Sequence, residues 1–166
     1  MLINHRWLPF GDASGVIHIG AHDLEELSVY LSRKIDNILW VEANPDLEPH
    51  LLKKLRRYPG MHLGSFAAGD MSCQVTLNIA NNSQASSLLP FGTHTTKYPA
   101  IQYINHKSIP MKRVDDWIDE QGFTRNLYNF INLDVQGYEL PALQGLAVQL
   151  QFVDYVYTEA VSYTHL

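Results

Sequence analysis

One cysteine, Cys73, occurs in 166 residues, so the chain can hold neither an internal disulfide nor a cysteine-rich zinc site. Cys73 reads as a small strand residue. No apolar run approaches the ~20 residues that a membrane-spanning helix needs. The first ten residues include His5, Arg6 and Trp7 and lack the apolar core of a signal peptide, which suggests a cytoplasmic protein. Excess basic charge is also missing. The formal net charge of −5 argues against a nucleic-acid surface. No Gly-x-x-x-x-Gly-Lys-Ser/Thr stretch is present, which excludes a P-loop, and there is no Gly-x-Gly-x-x-Gly fingerprint. What remains is the composition of an ordinary globular chain, 46% hydrophobic and 17% charged, of a length that suits one domain with a substantial core.

The most informative stretch is Val16-Ile17-His18-Ile19-Gly20-Ala21-His22. It reads as a buried parallel strand, over about 15–20, that opens into a helix over about 23–35. Leu24, Leu27, Leu31 and Ile35 share one face of that helix. A second buried strand, about 37–42, ends in Glu42-Ala43-Asn44-Pro45. A helix near 46–58 follows, with Leu47, Leu51, Leu55 and Tyr58 inward and Pro49 awkward in its opening turns. Lys53, Lys54, Arg56 and Arg57 read as a solvated face that complements the helix dipole, with a phosphate patch as the alternative.

A third strand is expected over His62 to Ala68, then a turn at Gly69-Asp70. Gln74 to Ile79 alternates, as a half-exposed antiparallel strand does. Residues 80–100 form a polar, turn-rich loop of a length usual for lids and binding loops. Ile101 to Val114 returns as one or two strands, so 71–113 reads as a β-rich insertion. Next comes a short helix with Val114, Trp117 and Ile118 inward and Asp115, Asp116, Asp119 and Glu120 outward. A fourth parallel strand, Asn129 to Asp134, exits through Val135-Gln136-Gly137-Tyr138-Glu139. A helix over about 138–150 is expected to bury Leu140, Leu143, Leu146 and Leu150. A fifth strand, Phe152 to Tyr157, ends at Thr158-Glu159. The order implies an α/β fold with a doubly wound, mostly parallel sheet, and the carboxyl ends of its strands share one edge.

The first turn selects the ligand. Asp23 and Glu25 would repel phosphates, and no second glycine lets a pyrophosphate approach. A nucleoside without phosphate fits better. Glu42 can accept hydrogen bonds from ribose hydroxyls, and S-adenosyl-L-methionine carries positive charges that tolerate acidic surroundings. His18, in mid-strand, reads as a hydrogen-bonded core histidine, whereas His22 is placed to touch a ligand. His94 and His106 have no partner at metal-ligand spacing, so no metal site is expected. Asp134 with Glu139 would need further ligands to hold Mg²⁺.

Three motifs in order, Val16 to His22, Trp40-Val41-Glu42-Ala43-Asn44-Pro45 and Ile131 to Glu139, resemble the FkbM family of S-adenosylmethionine-dependent methyltransferases. The likeness covers about 15–160. The last motif, Asp134-Val135-Gln136-Gly137-Tyr138-Glu139, is the most specific. The resemblance implies a Rossmann-like class I methyltransferase fold and S-adenosyl-L-methionine as cofactor. It also implies a small-molecule methyl acceptor, such as an oxygen on a sugar or another metabolite. Carried over by position, Gly20, Ala21 and His22 line the methionine part. Glu42 binds the ribose, in a turn with Ala43 that Asn44 steadies. Ala68 to Asp70 lie near the adenine. Asp134 and Gln136 border the cofactor and, with Glu139, face the acceptor.

An alcohol acceptor benefits from a base. Asp134 is the first candidate for that role, with Glu139 and Glu159 next. Helix capping for Asp134 and dipole complementarity for Glu139 are the structural alternatives. The chain departs from the family pattern at three positions. His18 stands for a common aspartate, Leu24 for a usual glycine and Gln136 for a glutamate. The family fold normally adds two strands after the fifth, and Val161 to Leu166 do not match that continuation. The chain therefore reads as a single, C-terminally truncated methyltransferase domain with a foreign tail. Its last strand is expected to form an apolar edge that invites association. A non-catalytic nucleoside-binding module and an enzyme using another nucleotide remain the alternative readings.

Overall fold

The computed structural model describes residues 12–82, 86–89 and 102–158. Five parallel strands form the main sheet: β1 (Val16–Ile19), β2 (Ile38–Glu42), β3 (Met61–Ser65), β7 (Phe130–Leu133) and β8 (Tyr155–Thr158). Their order is β3-β2-β1-β7-β8, the doubly wound arrangement with the switch point at β1. β1 is flanked in register on both sides, Ile19 opposite Val41 and Leu133. All four of its residues are buried.

Both faces of the sheet are covered, which is why these strands are almost uniformly apolar. Val16, Ile38, Trp40 and Phe130 pack with Tyr30 of α1 (Leu27–Ser32) and with Leu51 and Leu55 of α2 (Glu48–Leu55). The alternate residues Ile17, Ile19, Leu39, Val41, Ile131 and Leu133 face the other way. They meet Val114, Trp117 and Ile118 of α3 (Val114–Gln121) and Ala142 of α4 (Glu139–Gln144). Period-two alternation on strands with two buried faces thus makes three layers. Pro49 lies in the first turn of α2, where its missing N–H costs nothing.

A second sheet has the order β4-β6-β5, with β4 (Ala67–Ala68) parallel and β5 (Cys73–Ala80) antiparallel to the long strand β6 (Tyr103–Lys112). The single strand expected over 62–68 is therefore two. The chain leaves the main sheet at Phe66, and Ala67 and Ala68 pair with Met111 and Lys112 instead.

Three other expectations change. The first helix is shorter than 23–35, because His22 and Leu24 take left-handed backbone angles (φ 42° and 59°) that a helix does not allow. Asp115 is not outward but buried. It accepts from Arg125 Nη1 at 2.8 Å and from the amides of Val148 and Gln149 at 2.8 and 3.0 Å. The last helix stops at Gln144 and a 3-10 turn follows over Gln149–Phe152, so the heptad phase is lost. Leu146 stays inside and Leu143 packs beside it, while Leu140 is 67% exposed and Leu150 also emerges.

Among the described residues β8 pairs only with β7 and leaves its far side open. Val156 of this strand is exposed, as are Val148 and Phe152 in the segment that precedes it. An uncovered strand edge with apolar neighbours templates further pairing. Self-association is expected in sedimentation velocity, and Val156→Lys should shift the population toward monomer. Identical sedimentation of the two proteins would rule out association through this edge.

Candidate functional site

The strand ends converge where β1 and β2 terminate side by side. Gly20 (φ 92°) turns the chain, and its amide and that of Ala21 both donate to Val41 O, at 2.9 and 3.0 Å. These two N–H groups are thus committed to the sheet. Gly20 is demanded by the neighbouring strand, since a Cβ there would lie 1.9 Å from the Asp134 carbonyl oxygen.

Glu42, at the end of β2, stitches the two loops. Its Oε2 accepts the His22 amide and its Oε1 the Asn44 amide, each at 2.7 Å. Burial pushes its carboxyl above the usual range, and the hydrogen bonds from the Asn44 and His22 amides only partly offset this. Asn44, buried, folds its Oδ1 over the Asp46 amide at 3.1 Å and fixes the turn before α2. The basic residues of α2 include Lys54, whose ammonium binds Asp23 Oδ1 at 2.7 Å and Asp23 O at 2.8 Å. That ties α2 to the first loop, a structural use of a side chain in the basic run.

On the other side of β1, Asp134 leaves β7 partly exposed and accepts a hydrogen bond from Gln136 Nε2 at 2.6 Å. It does not cap α4, whose N-cap is Tyr138. Glu139 turns back to accept the Gly137 amide at 2.9 Å. The sharp exit is made by two left-handed residues, Gln136 (φ 52°) and Gly137 (φ 100°). Asp70 holds Arg113 Nη1 through its carbonyl at 3.0 Å, and its charge acts on Tyr138. Ala68 is buried in the main core. Glu159 lies outside the described residues.

The second sheet roofs this edge. Ala43 and Tyr138, from the exits of β2 and β7, pack against its small core of Ala67, Leu77, Ile109 and Met111. Ser87 Oγ donates to Gln136 O at 3.0 Å, and Lys107 pairs with Asp46. The β-rich segment therefore closes over the strand ends from both sides.

Beneath the first turn sits a buried polar cluster that the sequence reading resolved only in part. His18 is a core histidine as expected. Its Nδ1 lies 3.0 Å from Tyr30 Oη and 3.2 Å from Asn132 Nδ2, and Asn132 Nδ2 donates to Tyr30 Oη at 2.8 Å. Two donors meeting at Nδ1 assign the proton to Nε2. Burial lowers the imidazole to about 3, so it is neutral. Glu26 lies beside it, Oε2 3.9 Å from Nε2. Glu26, Tyr30 and Asn132 were not singled out in the sequence. Glu26 follows Asp23 and Glu25 in sequence and is 6% exposed.

Among the described residues no three His, Cys, Asp or Glu side chains gather as a metal site. Three carboxylates, on Glu26, Glu42 and Asp134, instead surround the turn. Negative charge gathered at one turn disfavours phosphate there.

The comparisons with known proteins bear on the fold and the family. The chain resembles the crystal structure of a methyltransferase FkbM from Methylobacillus flagellatus KT with a TM-score of 0.60 and 20% identity. The match covers 93% of this chain and 34% of that one, so the chain spans about a third of that protein's length. No curated protein matches it. The family model of the methyltransferase FkbM domain matches residues 18–164, nearly all of the sequence, and the chain belongs to that family.

Proposed function

We propose that the chain is an S-adenosyl-L-methionine-dependent methyltransferase domain acting on an oxygen of a sugar or other small metabolite. The observation that carries the reading is the position of Glu42. Its carboxylate stands against the Gly20 turn, fixed by two loop amides, and has further acceptor capacity for ribose hydroxyls. The residues fit such a cofactor, because the groups around the turn are acidic and a sulfonium and an ammonium are cations. When bound, the cofactor would supply a methyl carbon that bonds to the acceptor oxygen while its bond to sulfur breaks and the neutral thioether leaves. In this reading Asp134, which is partly exposed and accepts from Gln136, takes the proton from that oxygen. Glu139, held on the Gly137 amide, shapes the exit beside it. The second sheet covers the strand ends and limits water there.

Calorimetry with S-adenosylmethionine, S-adenosylhomocysteine and NAD tests the reading. Binding of the first two and not of NAD is expected, and binding of neither removes it. Glu42→Ala should weaken S-adenosylhomocysteine about tenfold or more, the loss expected for hydrogen bonds to a charged group. A melting curve recorded alongside separates this from loss of the loop clamp. Unchanged affinity in a folded variant would count against a ribose role.

A further inference from the structure

The turn after β1 is held against its own backbone preference. His22 and Leu24 take left-handed angles, φ 42° and 59°, that residues with a side chain rarely adopt. Such a conformation persists only where its surroundings over-determine it. From inside, Leu24 is buried in the core and Glu42 Oε2 accepts the His22 amide at 2.7 Å. From outside, α2 grips Asp23, the residue between the two left-handed ones. Lys54 Nζ donates to Asp23 O at 2.8 Å and to Asp23 Oδ1 at 2.7 Å. His50 Nε2 lies 2.8 Å from the same Oδ1. His50 and Lys54 are four residues apart on one face of α2. Leu51 and Leu55 beside them anchor that helix in the same core as Leu24, which fixes its distance from the turn. The hydrogen bond from Lys54 holds the Asp23 carboxyl below the usual carboxylate range, so the pair is ionic.

The inner ties are buried and the outer one is not. The Asp23 side chain is 48% exposed and that of Lys54 35%. An exposed ion pair is a weak tie, and salt screens it. When it lets go, the left-handed angles lose their outer support, so the turn opens first at Asp23. We propose that Lys54, with His50 beside it, is a positioning residue that acts through Asp23. It sets the fraction of molecules whose Gly20 turn is closed, and with it the apparent affinity of the nucleoside site, which scales with that fraction. The inference rests on the cofactor reading above.

The test removes the grip from a distance. Amide hydrogen exchange is followed in the whole chain and in Lys54→Met, Lys54→Arg and Lys53→Met, and S-adenosylhomocysteine is titrated calorimetrically into each. The Leu24 amide, bonded to Ala21 O at 2.8 Å, reports the turn. Lys53 is exposed and one residue away, so its loss changes the net charge equally. Lys54→Met is expected to speed exchange at Leu24 about threefold to fivefold and to weaken S-adenosylhomocysteine by the same factor, the range of an exposed pair. The amides of β1 should keep their rates. Lys54→Arg should bring both readings within about twofold of wild type, since it keeps the charge that pairs with Asp23. Lys53→Met should change neither. Faster exchange at Leu24 with unchanged affinity would show that closing the turn does not govern binding, and overturns the proposal. So does faster exchange throughout β1, which means lost global stability, or an equal effect of Lys53→Met, which means net charge alone. Unchanged exchange and affinity in Lys54→Met overturn it too. A wild-type chain that binds no nucleoside fails the cofactor reading instead, and exchange at Leu24 then decides by itself whether Lys54 closes the turn.

Discussion

Gly20→Ala is expected to lower the melting temperature by about 10 °C and to abolish nucleoside binding. Two costs add. The backbone there has φ 92°, which an L side chain adopts only under strain of about 1–3 kcal/mol. The new methyl would also lie 1.9 Å from the Asp134 carbonyl oxygen, so the β7 exit must move, at a further ~1–3 kcal/mol typical of overpacking. A loss on the order of 4 kcal/mol corresponds to about 10 °C in a chain of this size. Binding suffers separately, because moving Asp134 displaces the proposed acceptor side. Gly122→Ala is the control. It too has a positive φ, 69°, but nothing within 4 Å of the added carbon, so about 1 kcal/mol and little change in binding are expected. Equal effects of the two substitutions would show that strain alone matters at Gly20 and that the close approach of β7 does not.

Gly20 also shows why the sequence could be read as far as it was. A run of buried β-formers ending in a lone glycine has few structural meanings, and β1, β2 and β7 lie where their apolar runs place them. The proximity of Glu42 to the Gly20 turn follows from topology, since parallel neighbours end on one edge. The reason for the glycine was not legible, because Asp134 is 114 residues away and no local pattern encodes that approach.

The errors share one cause. Periodicity assigns a side chain to a face but not to a partner. Asp115 falls on what reads as the polar face of α3, yet it is buried by Arg125 and by the amides of Val148 and Gln149. Glu26 lies off the face of Leu24, Leu27, Leu31 and Ile35, so periodicity gives it no buried partner. The left-handed angles at His22 and Leu24 delay α1 until Leu27, and this swings Glu26 under the turn. Leu24 itself is buried, which offsets the strain of a position where glycine is the easier choice. The break at Phe66 was illegible for a similar reason, since Ala67 and Ala68 suit either sheet and only pairing with Met111 and Lys112 decides.

The second large effect concerns His18 and acid. In the fold its imidazole is neutral, with a pKa lowered to about 3 by burial, whereas an unfolded chain protonates it near 6.5. Between those values the unfolded state binds the extra proton, so stability from this group is full above about 6.5 and falls with pH. At pH 5 the loss is on the order of 2 kcal/mol, from about 1.5 pH units at 1.4 kcal/mol each. Protonation would also turn Nδ1 into a donor facing the Tyr30 hydroxyl and the Asn132 amide, which explains why the cluster resists it. Glu26 and Glu42 act in the opposite sense. Their carboxyls are raised, so the unfolded chain releases these protons first, and acidification relieves the cost of their buried charge. The pH dependence of the wild type is therefore a partial cancellation, and only a difference isolates His18. Urea unfolding of wild type and His18→Gln at pH 7 and pH 5 measures it. The glutamine variant is expected to be the less stable at pH 7 and to close about 2 kcal/mol of that gap by pH 5. A gap that stays constant over this range would mean that His18 is not held neutral beneath the turn.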